Sequence, residues 1–306
     1  LSDSLFSGRP EEARYAAGVL GRIGTEESRQ ALIAALGDKD KNLAAAAAGA
    51  LGQSAFDDSV KGALLSAAQS NPAVKMQVMN HLLRAGAPEG LRLAEDLIDG
   101  KNARAASSAV WALASQGTPE ARQLVERALS AKDASVRTAA ISTLSNNPDE
   151  HSTDTLLRLT RDGDAGVRTA ALQTLGQIGS DKAQAALLEA ARGGKTEERV
   201  AAISGLSNLD DPQVGRELAT LMRDPDPQVA QVAVHASFNG GPEVDQALVR
   251  IVNDPSAKDE LKMAAASQLR GRGTDLDDTT EKTVAKLAGP AYGGYGYGGM
   301  YGDYIE

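Results

Sequence analysis

Three histidines, His81, His151 and His235, are the side chains best suited to general-base or nitrogen-ligand chemistry in this chain of 306 residues. No two of them stand at metal-ligand spacing. His81 and His235 fall in helical segments and His151 in a turn, where ordinary surface or packed histidines sit. Cysteine is absent, which removes disulfides, thiolate metal sites and thiol nucleophiles. Asp275, Asp277 and Asp278 suggest a calcium loop by composition, but the glycine and distal glutamate of such a loop are missing. A helix-start cluster before Thr279 fits them better. No glycine-rich phosphate loop follows a strand, because no segment reads as a strand. The sequence thus leads us to expect no catalytic residue, no cofactor and no metal.

A second charged set, Arg104, Arg137, Arg168 and Arg199, reads as a ladder along the chain. In two places an aspartate stands four residues before the arginine, Asp133 before Arg137 and Asp164 before Arg168. Such a ladder could bind anions. Bridging between successive structural units explains it better.

Those units are visible as a period. Leucine recurs every 31 residues at Leu20, Leu51, Leu82, Leu113, Leu144, Leu175 and Leu206, slips by one near Ser237 or Phe238, and resumes at Leu269. A fixed period in this range marks a solenoid of one repeated supersecondary unit. In the clearest copy Val167, Ala171, Leu175 and Ile178 make one helical face, Asp164 stands at the N-cap position and Gly179 at the αL stop. Ser180 to Arg192 follows as a second helix with Leu187, Leu188 and Ala191 on its apolar stripe. Ala16, Ala47, Val78, Ala109, Ala140, Ala171 and Ala202 form a small-residue column that lets neighbouring helices approach. The second-helix column reads Leu32, Ala63, Ala94, Val125, Leu156, Leu187 and Leu218. The fold class expected is all-α: an α-solenoid, a superhelix of helical hairpins.

The repeated pattern Asp-x-x-Val-Arg-x-x-Ala, then Leu-Gly-x-Ile-Gly, resembles bacterial HEAT repeats of the phycobilisome-lyase type. The likeness covers roughly residues 1–288. It implies that the helix carrying Val-Arg lines the concave side, and it says little about function, since such arrays serve many roles. HEAT-like di-iron hydroxylases need several His–Glu pairs, which three histidines do not supply.

About nine repeats fill residues 1–289, the first incomplete. Leu1 and Leu5 stand 31 residues before Leu32 and Leu36, so the first residues read as the middle of a second helix, as if the chain began inside a repeat. Residues 290–306 form a Gly/Tyr-rich tail containing Tyr292, Tyr295, Tyr297, Tyr301 and Tyr304, five of the six tyrosines. Tyrosine gives large contact area at low entropy cost, so docking on this array or on another copy is the expected role of the tail. Net charge is −9, with 16 acidic and 9 basic residues after position 204. An acidic array is a poor nucleic-acid binder. No apolar run approaches the length of a membrane span, and the compartment is left open.

Two residues before each anchor leucine the first helix presents a position off the apolar face: Gly18, Gly49, Asn80, Trp111, Ser142, Gln173 and Ser204. Two residues after it come Arg22, Gln53, Arg84, Ser115, Asn146, Gln177 and Asn208. These columns are small and polar, as a peptide groove would be. Trp111 is the sole tryptophan, and tryptophan is enriched at binding hot spots. Asn80, Trp111, Ser142, Gln173 and Ser204 are the candidate partner-binding residues, for a protein or peptide or another copy of the chain.

Overall fold

The structure, a computed structural model, describes residues 1–52, 57–145 and 152–288. These form helices and turns, with no strand among the described residues. The chain divides into two compact units, Leu1–Asn147 and Pro148–Glu306. In the first unit a short α1 (Ser2–Leu5) precedes a row of first helices: α2 (Pro10–Ile23), α4 (Lys41–Leu51), α6 (Lys75–Arg84), α8 (Ala103–Ala114) and α10 (Ala134–Ser145). Each but the last is followed by its second helix: α3 (Glu26–Ala35), α5 (Asp58–Ser70), α7 (Pro88–Ile98) and α9 (Pro119–Ala128). The second unit opens with α11 (Thr153–Leu159). Its first helices are α12 (Ala165–Ile178), α14 (Thr196–Leu206), α16 (Pro227–Ala236) and α18 (Asp259–Arg272). Its remaining second helices are α13 (Asp181–Gly193), α15 (Pro212–Leu221), α17 (Pro242–Asn253) and α19 (Asp278–Leu287).

Within each unit consecutive first helices lie side by side, α2 on α4 and α12 on α14 most extensively. The anchor leucines are what holds them: Leu51, Leu82, Leu175, Leu206 and Leu269 are fully buried. The small-residue column from Ala16 to Ala202 is buried throughout. Side-chain caps start the helices where the sequence places them. Asp164 accepts from the Val167 amide at 3.1 Å, and Gly179 closes α12 at φ 66°. Asp277 accepts from the amides of Thr279 and Thr280, each at 3.0 Å, so the aspartates there do begin a helix.

Three positions depart from the expected register. In α5 the buried residue is Leu64, while Ala63 is half-buried; the second-helix column steps by one there. At the slip, Ser237 fills the anchor position fully buried, and Phe238 is 62% exposed. The added residue enters later, between the end of α17 and Lys258, the N-cap of α18. Arg104 does not belong to the arginine column. The residue 31 before Arg137 is Ala106, which is buried, and Arg104 is exposed.

Close approach follows a rule of its own. In three repeats the residue after an anchor leucine faces the residue before the next. A Cβ on Gly21 would fall 2.6 Å from the Ala50 carbonyl oxygen, and one on Gly176 would fall 2.3 Å from the Gly205 Cα. A Cβ on Gly52 would fall 1.8 Å from the His81 ring. His81 is a large residue in a column of small ones, and it fits because Gly52 has no side chain.

Candidate interaction surface

Among the described residues no group of His, Asp and Glu could hold a metal, and no helix is long and apolar enough to cross a membrane. His151 lies outside the described residues. His81 is buried in α6, where its Nδ1 lies 2.5 Å from Arg84 Nη2. Burial first, then the Arg84 charge, push its pKa below 6.5, against a bond to the Ala48 backbone. That is a packed imidazole, held inside the array.

The arginines act on backbone as much as on carboxylates. Arg168 donates from Nη1 to the carbonyls of Asp162 (2.7 Å) and Gly163 (3.1 Å), and from Nε to Glu198 of the next repeat at 2.8 Å. Arg137 donates to the Ala131 and Lys132 carbonyls at 2.8 and 3.0 Å. Arg199 reaches the Ala191 carbonyl at 2.8 Å and grips Asp224 of the next repeat with both terminal nitrogens. Asp164 instead caps its own helix. Arg168 and Arg199 therefore tie their own turns to the following repeat, with acid partners from ahead in the chain.

Of the sequence-chosen residues, the first unit brings Asn80, Trp111 and Ser142 onto neighbouring helices α6, α8 and α10. Trp111 is 46% exposed, and Asn80 and Ser142 are half-buried. In the second unit Gln173 and Ser204 are exposed on α12 and α14. Ser142 and Ser204 spend their hydroxyls on backbone carbonyls of their own helices, Thr138 and Val200, both at 2.9 Å. The five tail tyrosines lie outside the described residues, as do Gln53 and Asn146.

The stripe is longer than the sequence columns suggest. On α8, Arg104, Ser108, Trp111 and Ser115 follow at helical spacing and all are exposed. On α2 the same register carries Glu11, Tyr15, Gly18 and Arg22, with Tyr15 71% exposed. Between them Gly49 and Gly18 leave open space, since an added Cβ meets nothing within 4 Å. Gln77, in the middle of this grid, has its Oε1 buried with no hydrogen-bond partner. Tyr15, Gln77 and Arg104 are members the two-column reading missed; extending the stripe by one turn toward the helix N-terminus finds them. Two clefts open in the second unit. One of about 720 Å³ lies against Met222, Ala230, Ile251 and Leu261, and one of about 780 Å³ against Leu157, Leu172 and Ala186. Neither converges a set of reactive groups.

The HEAT-repeat family matches residues 1–70, 62–145 and 122–198. The chain belongs to that family. No curated protein matches it. Among solved structures it is similar to Kap95p in a complex with RanGDP, with a TM-score of 0.62 and 16% identity over 88% of this chain and 43% of that one. Kap121p bound to Pho4p aligns with a TM-score of 0.60 and 12% identity over 94% of this chain and 42% of that one. The E. coli protein YibA gives 0.53 and 16% identity, covering 77% and 90%. This HEAT-repeat chain thus spans 42–43% of the karyopherin chains it matches. At such identities the likeness establishes the fold.

Proposed function

We propose that this HEAT-repeat protein is a non-catalytic scaffold that binds a partner protein or peptide along its first-helix face, the concave side of the array. The observation that carries this reading is Trp111. A tryptophan at 46% exposure stands on a stripe of small polar residues, where no packing requirement keeps it. The structural neighbours support the same reading: Kap121p structures hold Pho4p and the extreme C-terminus of Cdc14p. The Asp-x-x-Val-Arg pattern resembles that of bacterial lyase-type HEAT repeats, without any residue that points to pigment. In the test, proteins captured by the wild-type chain are measured again with Trp111→Ala. The variant should lose about 2 kcal/mol or more of affinity, a 30-fold drop, with its circular dichroism unchanged. Retained affinity would remove Trp111 from the site.

The composition of residues 290–306 favours a second reading, a structural subunit whose Gly/Tyr tail docks on another copy. Deleting the tail should then lower the mass seen by light scattering and leave helical content intact. An unchanged mass would make the tail passive.

A further inference from the structure

Acidic residues are unevenly spread over the helix rows of the first unit. The first helices α4, α6, α8 and α10 contain no aspartate or glutamate, although the chain carries a net charge of −9. Their charged residues are Lys41, Lys75, Arg84, Arg104 and Arg137. The second helices hold most of the acids, and several are paired: Glu89 with Lys61 at 2.8 Å, Asp99 with Arg127 at 2.6 Å, Glu95 with the same Arg127, and Asp96 with Lys75 of α6 at 3.2 Å. The N-cap carboxylates of Asp40 and Asp133 sit at the ends of the first-helix row, bonded to backbone amides. Glu11 stands at one margin, 3.7 Å from Arg14.

On the exposed stripe itself, Arg22 and Arg104 are exposed and, among the described residues, have no acidic partner. Among the described residues Arg84 bonds to His81 and to the Asn80 carbonyl. Between these cations lie the bare surfaces over Gly18 and Gly49 and the rings of Tyr15 and Trp111. Unpaired arginines on a surface to which α4, α6, α8 and α10 bring no carboxylate lower the energy of an anion that approaches it, and guanidinium forks match carboxylates. Glycine floors admit a backbone closely.

Resting on the scaffold reading above, we propose that this face of the first unit binds an acidic, extended segment of a partner protein. Carboxylates of the segment pair with Arg22, Arg84 and Arg104. Its backbone runs over Gly18 and Gly49, and an apolar side chain rests on Trp111.

Trp111, the only tryptophan, reports on the site directly through its emission. The probes are three 15-residue peptides with glycine spacers and two leucines, differing only in carrying aspartate, asparagine or lysine at the same positions. The aspartate peptide should shift Trp111 emission, bind about 10-fold tighter than the asparagine peptide, and weaken as salt rises. The lysine peptide should produce no shift. Arg22→Glu and Arg104→Glu should each weaken the aspartate peptide about fivefold. Gly49→Glu should weaken it too while leaving melting temperature unchanged or higher, since the position has room and glycine is a poor helix former. That variant separates lost binding from lost folding.

Equal binding of the aspartate and asparagine peptides, tighter binding of lysine, or indifference to Arg104→Glu would overturn the acidic partner. The scaffold reading would survive if the asparagine peptide still shifted Trp111. No shift with any peptide would also overturn it, and the Trp111→Ala capture experiment would judge the scaffold reading separately. If deleting residues 290–306 alone shifted the emission and tightened the aspartate peptide, the chain's own tail would be the occupant, and the assignment to an outside partner would fall.

Discussion

The two units put most of their first-helix arginines to different uses, although Arg137 of the first also binds turn carbonyls. In the second, the first-helix arginines are consumed by structure. Arg168, Arg199 and Arg272 are mostly buried, and each joins turn carbonyls to a carboxylate: Glu198, Asp224 and Asp245. Arg272 also donates to the carbonyls of Ser237 and Gly240, holding the turn where a serine replaces the anchor leucine. In the first unit Arg22 and Arg104 reach solvent, and the helices beside them carry glycine and alanine where the surface could be filled. An arginine that closes a turn and one that waits for a ligand differ by two residues of register, as Ala106 and Arg104 show. The repeat supplies the scaffold, and departures from it supply the candidate site.

The largest effect should come from the part the units share. Leu175→Ala in the second unit and Leu144→Ala in the first each truncate a buried anchor, at a cost of about 2–5 kcal/mol. Because a repeat touches only its neighbours, damage stays near the lesion. Leu144→Ala should therefore move the Trp111 fluorescence transition in denaturant, and Leu175→Ala should move chiefly the circular dichroism. Wild-type stability for Leu175→Ala would refute its place in the core.

The arginine contrast can be broken next. Arg199→Ala leaves the Asp224 carboxylate, which Arg199 holds below its ordinary pKa, largely buried without its partner; about 1.5–3 kcal/mol should be lost. Arg104→Ala should stay within about 0.5 kcal/mol of wild type. Equal losses in denaturant titrations would erase the distinction between clamped and free arginines.

A smaller effect sharpens the packing rule. Gly52→Ala drives a methyl into the His81 ring and should cost about 1–3 kcal/mol as overpacking. His81→Ala in the same chain should recover most of it. A double variant no more stable than Gly52→Ala would mean that the glycine serves the backbone and not the ring.

Much of this was legible in the sequence. The 31-residue leucines gave the hairpins their register, and polar residues at fixed offsets marked the caps, because caps and anchors are local and periodic. The off-face position of Trp111 followed from counting residues around a helix. What stayed hidden depends on neighbours. The acceptors of Arg137 and Arg168 are backbone carbonyls, which every residue owns, so the pattern could show the donor and not its target. The pairing of Gly52 with His81 joins positions 29 apart, outside any single-helix reading. The shift to Leu64 and the choice of Ser237 over Phe238 depend on how turns absorb one residue, which a period does not specify.

The smallest predicted effect is a difference in pH dependence. Burial and the Arg84 charge lower the pKa of His81 from 6.5 in the folded first unit. The unfolded chain then binds a proton that the folded chain refuses, so the stability due to His81 is complete above 6.5 and declines as pH falls below it. Asp224 behaves oppositely in range. Its pKa is lowered from 3.8, chiefly by the hydrogen bond from Arg199, so its contribution is present above 3.8 and declines only below that. Between pH 7 and 5 the first unit should weaken while the Arg199–Asp224 clamp of the second holds. Trp111 fluorescence in denaturant at pH 7 and pH 5 measures the first, and far-ultraviolet circular dichroism measures both. His81→Gln should flatten the fluorescence midpoint over that range. A midpoint that still falls with pH in the variant would move the titration elsewhere in the first unit and leave His81 as packing alone.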